Sequence, residues 1–111
     1  NLCNTMMLTG KEFNKQYNGT VFIKLVNDKS IHNGFYFGEG LNICTDLLNL
    51  DENDTSCIYF YKFDDLSEWL DYNGNHMTYI FDVAIPNDAT VLIMNNKMKC
   101  NKFILSNKRL I

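Results

Sequence analysis

His32 and His76 are the only imidazoles in the chain, so they are the first residues to test for acid–base or metal chemistry. Neither belongs to an H-x-x-x-H or H-E-x-x-H pattern, and each lies beside Asn-Gly turn residues, where an exposed polar side chain is expected. Cys3, Cys44, Cys57 and Cys100 could ligate zinc only from closely spaced pairs, and no two lie closer than Cys44 and Cys57. Gly34, Gly38 and Gly40 could let backbone amides approach a phosphate, but the Lys-Ser/Thr that completes a P-loop is missing and the spacing is not G-x-G-x-x-G. They read as turn glycines. Asp64, Asp65 and Glu68 could form an acid–base set, yet carboxylates at a helix start are explained by the free amides and macrodipole there. No catalytic residue, metal ligand or cofactor is therefore assigned.

What remains could bind. His32 and Tyr36 flank a turn-rich aromatic segment, and Trp69 follows the aromatic run Tyr59, Phe60, Tyr61, Phe63. Lys97, Lys99 and Lys102 begin a basic end: residues 1–95 carry 13 acids and 5 Lys, whereas 96–111 carry four Lys, one Arg and no acid. A block of like charge is ordinarily a solvated face, although it can dock an oppositely charged partner. The overall charge of −3 repels phosphate backbones everywhere except that end, which disfavours nucleic acid. Half of a strand's side chains enter the core, so Trp69 reads first as a core anchor.

The elements that must position these residues follow from local patterns. Thr9-Gly10-Lys11-Glu12 has the form of a capping box and predicts a short helix to about Tyr17. Residues 20–26, rich in β-branched and aromatic types, predict a strand, as do the short Phe35-Tyr36-Phe37 segment and residues 57–61. Ile43, Leu47 and Leu48 are near helical spacing, which predicts a helix over 41–50. A second capping box, Asp65-Leu66-Ser67-Glu68, predicts a helix ended by Asn73-Gly74. Strands are expected over 76–84, 90–94 and 102–105, with Pro86 in a turn or at an edge.

Strands outnumber helices and no βαβ rhythm or repeat appears. The expected fold is α+β: a mainly antiparallel sheet of about five or six strands with one to three short helices. At 111 residues and 46% hydrophobic content, residues 1–111 read as a single domain. An Asn at position 1 suggests an excised N-terminal module of a longer protein. No run approaches the roughly 18 apolar residues of a membrane span and no secretory leader is evident, so a soluble intracellular protein with free buried thiols is expected.

The run from His32 to Asn42, Ile58-Tyr59-Phe60, Asp65-Leu66-Ser67-Glu68-Trp69-Leu70, the run from Val83 to Val91 and that from Asn96 to Leu105 together resemble the domain preceding the repeats in ankyrin-repeat proteins of mimivirus-like giant viruses. The resemblance spans Val21 to Ile111. It implies a viral protein made in the host cytoplasm, a reducing compartment, which suits the 16 Asn and the excess of Lys over Arg that A/T-rich codons produce. It implies no established activity, and no ankyrin T-P-L-H-x-A pattern is present. The function expected is a noncatalytic module that binds a host or viral protein, with the oligomeric state open. An ADP-ribosyltransferase-like domain is the enzymatic alternative; such enzymes commonly need an acid on a late strand, and 90–94 and 102–105 have none.

Overall fold

The structure, a computed structural model, describes residues 5–46, 57–70, 76–95 and 97–111. Its strands are β1 (Met6–Thr9), β2 (Phe22–Val26), β3 (Ile31–His32), β4 (Phe35–Tyr36), β5 (Gly40–Ile43), β6 (Ile58–Lys62), β7 (Tyr79–Ala84), β8 (Thr90–Ile93), β9 (Met98–Cys100) and β10 (Lys102–Leu110). The helices are α1 (Gly10–Gln16) and α2 (Leu66–Trp69), the latter preceded by a 3-10 turn, Phe63–Asp65. Eight strands form one sheet in the order β1-β8-β9-β6-β2-β7-β10-β5, and β3 and β4 form a separate hairpin. Every described pairing is antiparallel.

The connections force this sheet to fold over. β9 and β10 are joined by Asn101 alone, yet they stand four places apart in the sheet. Neighbouring strands are about 4.8 Å apart, so a flat sheet would separate them by roughly 19 Å, beyond the reach of a one-residue link. The chain therefore turns a corner at Asn101, and the half β1-β8-β9-β6 faces the half β2-β7-β10-β5. Phe60 on β6 and Phe103 on β10 meet across the gap at 6.3 Å between ring centroids. Two residue pairs, Phe22 with Lys62 and Ile23 with Tyr61, join the halves at the β2–β6 seam, which the Phe63 amide extends by donating to the Val21 carbonyl at 2.9 Å.

Alternation along the central strands sorts side chains into two cores. Phe22 and Val26 of β2, Ile58 and Phe60 of β6, Phe81 of β7 and Val91 of β8 fill the space between the halves, with Phe13 of α1 and Phe37. Ile23, Leu25, Tyr59, Tyr61, Ile80 and Leu92 point the other way and pack with Trp69 of α2. All five residues of β2 are buried, because both of its faces are covered.

α1 begins as its sequence predicts. The Glu12 amide donates to Thr9 Oγ1 at 3.1 Å and the Thr9 amide to Glu12 Oε1 at 2.9 Å, a reciprocal capping box. Asn33 and Gly34, with φ of 51° and 76°, form the two-residue turn between β3 and β4, the conformation that Asn-Gly adopts with least strain. Pro86 starts the turn that precedes β8, its carbonyl accepting from the Ala89 amide at 3.1 Å.

The antiparallel α+β class stands, but the count of strands is corrected from five or six to ten. β1, β3 and β9 are two to four residues long, too short for an alternation to announce them, and each is fixed by the strand it pairs with. The helix expected over 41–50 is overturned in its described part: Gly40–Ile43 is strand β5, bonded to β10. Leu41 and Ile43 alternate on one face, and pairing with β10 overrides the local spacing; residues 47–50 lie outside the described residues. The second capping box is also corrected. Asp65 ends the 3-10 turn at φ −95°, ψ 8°, and its side chain makes no capping bond; the stop at Asn73-Gly74 lies outside the described residues. Cys44 and Cys57, expected as free thiols, are joined in a disulfide with their Cα atoms 5.1 Å apart, because the fold-over brings the end of β5 to the start of β6. Cys100 is free and buried, as expected. No helix among the described residues is long and apolar enough to cross a membrane.

Candidate functional site

Lys24 is the residue that sequence reasoning passed over. It lies on the same face of β2 as Phe22 and Val26 and is 1% exposed. Its Nζ lies 2.7 Å from His32 Nδ1 and 4.7 Å from the centroid of the Phe37 ring. Among the described residues it makes no ion pair with a carboxylate. Burial holds its amine down to about 7, far below the ordinary 10.5. Cys100 is the titratable neighbour that would favour the charged amine. Burial pushes that thiol well above its ordinary range, however, so it is uncharged at neutral pH and supplies no counter-charge.

His32 completes the pair. Burial first, and the neighbouring Lys24 second, hold the ring down to about 3, so it is neutral at physiological pH. The expectation of an exposed histidine beside a turn is corrected: His32 is partly buried because its hairpin folds against β2. His76, the other imidazole, is exposed. Both line a hollow of about 410 Å³ with Asn27, Asp28, Asn33 and Met77.

Ser30 fixes the base of this hairpin. It is buried at φ 63°, its Oγ donates to the Phe37 carbonyl at 2.7 Å, and it accepts from Lys108 Nζ at 3.2 Å. Lys108 also lies over the Tyr79 ring at 4.5 Å. The Asn27 side chain caps the turn by accepting from the amides of Lys29 and Ile31, each at 2.9 Å.

The six residues singled out from sequence fall in separate places. His32 and Tyr36 share the hairpin, with Tyr36 65% exposed. Trp69 is buried and stacked on Tyr61 at 4.3 Å, as a core anchor should be. Lys97 and Lys99 lie over the Tyr59 ring at 4.5 and 5.3 Å. Lys99 is fully buried, so the solvated reading of the basic end fails there: that end is β9 and β10, inside the sheet. Lys102 pairs with Asp88 at 3.0 Å.

A second feature lies at the rim of the sheet. β5 is its last strand, bonded to β10 on one side and to no strand on the other among the described residues. Leu41 and Ile43 are 58% and 49% exposed, and Ile104, opposite Leu41, is 41% exposed.

Among the described residues, no group of three His, Cys, Asp or Glu side chains could hold a metal ion. No protein-family model matches the chain, and no solved structure matches it.

Proposed function

We propose that the chain is a noncatalytic interaction module of a giant-virus protein, and that it takes an extended segment of a host or viral protein along β5. The observation that carries this reading is the apolar row Leu41, Ile43 and Ile104 at a sheet edge that no strand pairs among the described residues. Edge strands are ordinarily blunted by charge, proline or a covering element, and Gly-Leu-Asn-Ile carries neither charge nor proline. An added strand would bond to the outward amides and carbonyls of β5 and cover Leu41 and Ile43 with alternate side chains of its own.

Two other readings find less support. Among the described residues, Lys99 is enclosed, Lys102 and Arg109 are ion-paired with Asp88 and Asp82, and Lys97 and Lys108 lie over Tyr59 and Tyr79, which gives little support to a basic face for nucleic acid. β8 and β10 carry no carboxylate, which an ADP-ribosyltransferase-like site would need on a late strand.

The test is capture from host-cell lysate with the wild-type chain, with Ile43→Lys and with an unrelated acidic domain. A partner enriched by the wild type and lost with Ile43→Lys, at unchanged melting temperature, is the expected result. Equal capture by all three, or none, would overturn the reading.

A further inference from the structure

We propose that the hollow beside the β3–β4 hairpin binds a small molecule bearing one phosphate group and free hydroxyls, with the His32 ring donating to the phosphate and Lys24 as the cation behind it. The hollow itself includes no residue of β5, although Asn33 and Gly34 also border a second hollow with Ile43.

Lys24 has no counter-charge among the described residues. Lys24 and Lys108 approach the hairpin from β2 and β10, and neither makes an ion pair among the described residues. Lys29 lies in the same turn, and Asp28 is the carboxylate lining the hollow. An ammonium buried without an anion is held at a cost in solvation that an oxyanion next to His32 would offset.

The lysine also sets the direction of the histidine's donor. When Lys24 is protonated it can only donate, so His32 Nδ1 accepts and the ring proton sits on Nε2, leaving that N–H for a ligand. A cation behind the ring polarises that N–H and favours an anionic acceptor. Bringing a phosphate to the far side of the imidazole therefore favours the protonated lysine, and the protonated lysine favours the phosphate.

The turn adds donors. Asn33 and Gly34 line the same hollow, and their amides donate to no backbone carbonyl among the described residues. A Cβ at Gly34 would meet nothing within 4 Å, so the backbone there is open to approach.

Size and charge narrow the ligand. A volume of about 410 Å³ is larger than a bare phosphate and falls in the small-molecule range of about 300–1,000 Å³. Asp28 would accept from a hydroxyl and repel a second phosphate, which favours a sugar phosphate or a nucleoside monophosphate over a polyphosphate.

The experiment is calorimetric titration of the intact chain with ribose 5-phosphate, inorganic phosphate and ribose at slightly acid pH. Ribose 5-phosphate should bind, inorganic phosphate more weakly, and ribose not at all. Lys24→Met should weaken binding by about tenfold or more while melting cooperatively. Amide resonances provide a readout that needs no variant: Asn33 and Gly34 should shift on titration. No binding by either phosphate probe at millimolar concentration, equal binding of ribose, unchanged affinity in Lys24→Met, or shifts confined to other residues would each overturn the proposal. Leu41→Lys should bind ribose 5-phosphate as the wild type does, because Leu41 borders neither this hollow nor the adjoining one that Ile43 shares with Asn33 and Gly34.

Discussion

Lys24 Nζ and His32 Nδ1 lie 2.7 Å apart in a region where burial opposes a charge on either. Ordinary packing would place a leucine or methionine at position 24, between Ile23 and Leu25, and leave the hairpin to a different contact. The pair instead ties the β3–β4 hairpin to the middle of β2 by a polar bond inside an aromatic core. Such a bond specifies where the hairpin sits more sharply than apolar contact would, at a cost in stability.

That cost should appear in the pH dependence of unfolding. The unfolded chain keeps a proton on Lys24 up to about pH 10.5, whereas the folded chain releases it at about 7. Between these values the unfolded state binds more protons, so this residue adds stability as pH rises and removes it as pH falls. From pH 7 to 9 the gain should be about 2 kcal/mol. Above 9 the Cys100 thiol, whose proton the fold retains, acts in the opposite direction. Urea titrations across that interval should show the rise in the wild type and a flat response in Lys24→Met, which should also be more stable at pH 7 by about 1–4 kcal/mol.

His32 should make the fold acid-sensitive by the same linkage. Its folded value of about 3 lies below the ordinary 6.5, so its contribution is complete above 6.5 and is lost as pH falls towards 3. Between pH 6.5 and 4.5 the loss should be about 2–3 kcal/mol relative to His32→Asn. Proton NMR of the ring should show no titration between pH 7 and 5; a step near 6.5 would contradict the burial of this imidazole.

Much of this framework was legible in the chain, for reasons that differ by element. The Thr9 box, the Asn33-Gly34 turn and the runs at 20–26 and 57–61 carry local signals, and each became the element its residues favour. β5 did not, because Leu41 and Ile43 fit a strand or a helix until β10 lies beside them. The disulfide was equally hidden, since it depends on the fold-over that a one-residue corner at Asn101 imposes. His32 was visible as a rare imidazole, but its partner was not. A clue was present: a lone lysine within Phe-Ile-Lys-Leu-Val, where both strand faces would be buried, must find a polar neighbour.

Gly10 should tolerate no side chain. It opens α1 against the Ile85–Ala89 turn: its amide donates to the Ala89 carbonyl at 2.7 Å, and the Lys11 amide to the Asn87 carbonyl at 3.1 Å. A Cβ at position 10 would collide with the Pro86 carbonyl group, which is backbone and cannot rotate away. Gly10→Ala improves helix propensity, yet it should cost about 1–3 kcal/mol by forcing helix and turn apart. Equilibrium urea unfolding measures this; a variant as stable as the wild type would mean the turn yields freely.

The Cys44–Cys57 bond ties the end of the edge strand to the start of a central one, a further covalent link between halves that the β2–β6 seam, the Asn101 corner and the Ile85–Ala89 turn also join. With a sequence separation of 13, the bond should contribute about 3 kcal/mol by restricting the unfolded chain. Cys57→Ser should lose that amount and release Cys44 for alkylation. Cys100 should behave differently: it is fully buried and its thiol is held protonated, so iodoacetamide should reach it only after unfolding. Peptide mass mapping under non-reducing conditions separates the two, and native-state labelling of Cys100 at a rate matching Cys44 in the variant would show the interior to be open.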